Sequence, residues 1–250
     1  MIREGEIGQK RYLQASRERR QARMLRELEF EARPALAEDT RPPRIFADET
    51  KLRILAAAES LYAARSIESV SFREIAQLAG NRNTNAVQYH FGNRETLVQA
   101  IFAWRVWQME PIRGAMLDAA GEEPDLAALF RILCEPLLDL VDDEGRHTYA
   151  AFMSKYLMLQ RPVGIPHAGD IRPDINGNLR RILDRVNAIV AAEDMQMGDY
   201  RIALSYLVVT NMLVLSDNER LQQRDPTLLR RRFEVALSMA VAAMKNSCGI

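Results

Sequence analysis

The segment from Asp48 to Trp104 constrains the fold most, because it sets several short helices in close succession, each with its own start signal. Asp48 can cap a helix that begins near Glu49. Ile54, Leu55, Ala58, Leu61 and Tyr62 then recur at the spacing of one buried helical face, and the helix should end near Ala64–Ser66. Ser71 and Glu74 stand at capping-box spacing, so hydroxyl and carboxylate can each satisfy a free backbone N–H. Phe72, Ile75, Ala76 and Ala79 give the second helix its apolar face. Gly80 follows where a sharp turn needs a positive φ. A third helix is predicted from Thr84 to His90, with Asn83 as N-cap and Ala86 and Val87 facing inward. Asn93 can cap a fourth, whose stripe is Leu97, Ile101 and Trp104.

Two short helices joined by a glycine-containing turn form a helix-turn-helix, whose second helix enters the major groove of DNA. Local composition agrees. From Ile75 to Arg94 there is no Asp or Glu, while Arg82, Arg94, His90 and the asparagines at 81, 83, 85 and 93 fall within the same stretch. Such a surface suits phosphates and base edges. This local character matters because the whole chain, with 34 basic and 34 acidic residues, carries no net charge. A protein without a global positive field must bind nucleic acid through a local patch.

The residues Ser71-Phe72-Arg73-Glu74-Ile75-Ala76, Ala79-Gly80 and Tyr89-His90-Phe91-Gly92-Asn93-Arg94-Glu95-Thr96-Leu97 resemble the DNA-binding domain of the tetracycline-repressor-like (TetR) family. There are two departures. Gly80 to His90 spans ten positions where the family usually has nine, so the turn is expected to be one residue longer, at Asn81 or Arg82. Gln88 stands where the family often has Tyr, with Tyr89 adjacent instead. The resemblance implies that Ser71 caps its helix and touches a phosphate. It implies that Thr84, Asn85 and Gln88 face the groove, and that Tyr89, His90 and Arg94 hold the backbone. Arg82 could read guanine or bind phosphate, and Asn83 lies in the same surface. No carboxylate or second ligand stands at useful spacing for His90 to act in catalysis or metal binding.

Residues 99–250 read as helices throughout, near 94–110, 125–141, 146–160, 174–193, 199–216 and 227–246. Breaks are expected at Pro111–Gly114, Gly121–Pro124, Gly145, Arg161–Pro173 and Met197–Gly198. Asp225 and Pro226 mark a strong start for the last helix. Trp107, Phe130, Phe152, Met153 and Tyr156 form an aromatic and Met-rich set. A filled core explains such a set as it stands; the family resemblance implies a cavity for a small apolar effector. Helices 199–216 and 227–246 are apolar on nearly every face and need cover that one chain does not supply, which points to a homodimer through this pair.

The chain thus reads as an all-α protein: a helix-turn-helix domain at 48–98 and a helical effector-binding and dimerisation domain at 99–250. Before them, residues 1–47 hold a basic stretch from Lys10 to Arg26 and an acidic one from Glu27 to Asp39. A helix over 9–32 and a linker over 34–43 are predicted there, forming either a DNA-contacting arm or a solvated tail. The longest uncharged apolar run, Ile202–Ser216, is fifteen residues, short of the roughly 20 a membrane span needs. The opening residues show no export signal, so Cys134 and Cys248 are expected to be reduced thiols in the cytoplasm. No cofactor motif or nucleophile signature occurs, so no enzymatic activity is expected. The function implied is a ligand-responsive repressor, a homodimer on a palindromic operator in double-stranded DNA. The alternative is an all-helical small-molecule-binding protein or enzyme that does not bind DNA.

Overall fold

The computed structural model describes residues 46–160, 177–191, 198–218 and 226–245. All the regular structure among them is helical. The chain divides into two compact units, one containing residues 46–57 and 71–101, the other containing 58–70 and the described residues from 102 onward. The arm, the linker and the Asp225 cap lie outside the described residues.

In the first unit α1 (Glu49–Ala64) begins at Asp48, whose Oδ1 accepts from the N–H of Thr50 (2.9 Å) and Lys51 (3.3 Å). The second half of α1 belongs to the other unit. α2 (Phe72–Leu78) carries the full capping box: Glu74 N–H donates to Ser71 Oγ (3.2 Å) and Ser71 N–H to Glu74 Oε2 (2.8 Å). Gly80 follows at φ +67°, the left-handed conformation that an L side chain resists. α3 is Ala86–Phe91, packed against α2, with Ala86, Val87 and Phe91 buried. It starts two residues later than the sequence suggested, and Asn83 is not its cap. Asn83 Oδ1 instead accepts from the N–H of Asn85 (3.0 Å), just as Asn81 Oδ1 accepts from Asn83 (3.0 Å). Two successive Asx turns therefore compete with helix over 81–85 and win.

α4 runs unbroken from Arg94 to Ala120 and contains Pro111. Asn93 caps it, accepting from the Thr96 N–H (2.8 Å). The break expected at Pro111–Gly114 does not occur. Met109, Arg113 and Leu117, spaced at i, i+4 and i+8, are all buried, so one packed face carries the helix across the lost backbone bond.

In the second unit α5 (Leu126–Cys134) is capped by Asp125 and ends earlier than expected, because Pro136 turns Glu135–Leu138 into a tighter 3₁₀ segment. α6 (Thr148–Lys155) continues into a π-helical turn, Tyr156–Gln160. α7 (Gly177–Ala191), α8 (Gly198–Asn218) and α9 (Pro226–Lys245) complete the set. α8 lies along α9 and packs on α6 and α7; α5 packs on α7 and α9. Arg131 on α5 ties to Glu234 on α9 (2.8 Å). Buried His147 joins the start of α6 to the end of α8, its Nδ1 2.9 Å from Asp217 Oδ1.

Candidate nucleic-acid interface

α3 is a short helix with two distinct faces. Ala86, Val87 and Phe91 anchor it from within, which forces Asn85, Gln88 and Tyr89, at i, i+3 and i+4, outward. Arg82, Asn83, Thr84, Asn85, Gln88 and Tyr89 are all exposed, Tyr89 to 84%. A tyrosine that open on a monomer surface is unusual, and it stands in an acid-free stretch. The Asx turns fix the backbone ahead of α3, so Thr84 and Asn85 project from an ordered turn.

His90 and Arg94 are half-buried. The His90 ring meets Tyr89 edge-on at 5.1 Å. Partial burial holds His90 below its ordinary value; Lys51 acts in the same direction and Asp48 opposes them. At neutral pH it is therefore a neutral imidazole with one N–H to donate. Arg94 is the first residue of α4. Ser71 is exposed, but its hydroxyl already donates to Glu74 Oε2 (2.8 Å). The predicted DNA-facing residues of the turn and α3 thus share one surface stretch, and their aromatic neighbour Phe91 is buried.

The aromatic set of the second unit is packed on itself. Phe152 and Tyr156 are buried with Phe102, whose ring lies 5.1 Å from Phe152 and 4.7 Å from Tyr156. Tyr62 stacks on Phe152 at 6.0 Å. Phe130 and Met153 are buried and Trp107 half-buried. Sequence reasoning missed a charged cluster beside these rings. Glu59, 1% exposed, receives two bonds from Arg105 (2.6 and 2.7 Å) and one from the Thr148 hydroxyl (2.7 Å). The available signal was its register: Leu55, Glu59 and Tyr62 share one helical face. Among the described residues no group of three or more His, Cys, Asp or Glu could hold a metal, and no helix is long and apolar enough to cross a membrane.

A capped helix, a left-handed glycine turn and an anchored second helix with an exposed outer face define an all-α helix-turn-helix protein. Residues 54–101 match the family model of bacterial regulatory proteins, tetR family. The match spans the helix-turn-helix unit alone, which is similar to the N-terminal domain of that family. A solved structure described as a tetR family transcription regulator from Shewanella sp. PV-4 is similar in fold. It is 19% identical, with a TM-score of 0.50, over 78% of this chain and 97% of that one. The transcriptional regulator FadR from Bacillus subtilis, solved in complex with stearoyl-CoA, gives 17% identity and a TM-score of 0.46 over 77% of this chain and 98% of that one. No protein of curated function matches the sequence.

Proposed function

We propose that this regulator is a ligand-responsive repressor that binds a palindromic operator as a homodimer in the cytoplasm. Thr84, Asn85 and Gln88 read base edges: amide side chains pair with adenine, and threonine bonds a base or contacts a thymine methyl. Tyr89, His90, Arg94 and Ser71 hold phosphates, with Arg82 and Asn83 at the rim of the same surface. The observation that carries this reading is the outward stripe of Asn85, Gln88 and Tyr89 on a helix whose other face is fully buried.

Dimer formation is supported by apolar side chains left open on the last two helices: Tyr200, Leu204 and Leu215 on α8, and Leu228, Val235 and Met239 on α9. Large apolar side chains left open on paired helices suit burial against a second copy. Two copies related by a two-fold axis would hold their α3 helices about one DNA turn apart. The second unit would take a small effector among Trp107, Phe130, Phe152, Met153 and Tyr156. Only an effector that binds the DNA-bound and released states unequally can shift between them.

The test is selection of bound sequences from random duplexes, repeated with Asn85→Ala. The variant should lose about 1–3 kcal/mol at one base position and relax preference there. Equal losses on the selected operator and on random DNA would reject base reading by Asn85.

A further inference from the structure

The second unit buries an arginine that its neighbours do not satisfy. Arg113, 1% exposed, donates from Nη2 to the Leu133 carbonyl (3.2 Å) and lies 3.6 Å from Met109 Sδ. Its Nη1 comes no nearer than 3.8 Å to Glu110 Oε1. Neither Nε nor Nη1 has a hydrogen-bond acceptor among the described residues. Glu110 is committed elsewhere: its oxygens accept from the backbone N–H groups of Asn178 (2.8 Å) and Leu179 (2.9 Å) at the start of α7. A guanidinium has five donors and no way to shed its charge, so its remaining N–H groups call for an acceptor.

Beyond Glu110, the titratable groups that feel the charge of Arg113 are donors as well. The phenols of Tyr149 and Tyr206 and the thiol of Cys134 all feel its charge, and burial pushes all three up, so each keeps its proton at neutral pH. A buried cation with unsatisfied N–H groups is a setting for an anion with several acceptor oxygens, and the buried apolar side chains of the unit suit an apolar body.

We propose that Arg113 anchors the carboxylate of an otherwise apolar ligand in the second unit, with the hydroxyls of Tyr149 and Tyr206 beside it. This rests on the ligand-responsive reading above and names the class of effector. The carboxylate takes up the N–H groups that the fold leaves over, and the aromatic set holds the body.

The experiment is calorimetric titration of the full-length protein, without DNA, with octanoate, dodecanoate, benzoate and phenylacetate, each against its primary amide. At least one acid should bind tenfold or more tightly than its amide. Arg113→Met should bring that ratio to about one, and Arg113→Lys should keep part of it, with circular dichroism checking that each variant is folded. Equal binding of acid and amide to the wild type, or no saturable binding of any acid, overturns the proposal without needing a variant. A preference that survives in folded Arg113→Met overturns it too. A separate operator-release assay keeps the two readings apart. Acids that bind but release no DNA leave the site and refute ligand response. Neutral compounds that release DNA while acids do not bind refute the site alone.

Discussion

Replacing Glu59 with alanine tests whether the second unit is held by a buried charge cluster. The carboxylate is 1% exposed and accepts three bonds, two from Arg105 and one from Thr148. Its removal strands the Arg105 guanidinium and the Thr148 hydroxyl together. Breaking a buried pair from one side costs about 3–5 kcal/mol, because a charge is left without compensation. Arg105 keeps a bond to Gln108 (2.9 Å) and the face of Trp104 (3.9 Å), which places the expected loss at the lower end, about 3 kcal/mol. Glu59→Gln should fall between, since one acceptor oxygen remains. The paired replacement Glu59→Met with Arg105→Met should recover most of the loss, because both buried charges leave together. Urea unfolding followed by circular dichroism reads all four proteins. A loss under about 1 kcal/mol for Glu59→Ala, the scale of one ordinary hydrogen bond, would refute the reasoning. So would a paired variant no better than the single one.

Gly80→Ala should cost about 1 kcal/mol in urea unfolding: the left-handed backbone opposes the new side chain by about 1–2 kcal/mol, and the stiffer unfolded chain returns part of it. A Cβ there meets nothing within 4 Å, so a much larger loss would point to a contact the geometry lacks. At Gly114 a Cβ would stand 3.0 Å from Asn178 Nδ2, which donates to the Glu110 carbonyl (3.2 Å). Gly114→Ala should therefore stabilise by about 1 kcal/mol only in an Asn178→Ala background, as a double-mutant cycle of unfolding energies would show. Since folding holds His90 below the ordinary 6.5, its contribution to stability is full above that pH and declines as pH falls through it. A neighbouring phosphate favours the protonated ring, so operator affinity should rise as pH drops through the same window. His90→Gln should flatten that rise, measured by fluorescence anisotropy at constant salt. Arg94→Ala should weaken all duplexes alike and reduce the salt slope by about 1.

What the sequence revealed and what it hid follow from the range of the interactions. The Asp48, Ser71 and Asn93 caps are bonds across two or three residues, and the left-handed Gly80 is a local backbone demand. All were legible from spacing alone. The start of α3 was misplaced because a string of asparagines offers both caps and Asx turns, and spacing does not choose between them. Pro111 was read as a break because the face that overrides it, through Met109, Arg113 and Leu117, is fixed by packing. Glu59 finds Arg105 and Thr148 at separations of 46 and 89 residues, which no local pattern encodes.

The start of α7 is set by a residue far upstream. Its first free N–H groups are closed by the carboxylate of Glu110, 68 and 69 residues earlier in the chain. The helix therefore inherits its beginning from its neighbour, and cannot acquire it until α4 has docked. A fragment cut away from α4 would fray at that end, so a truncation that spares every residue of α7 can still unravel it.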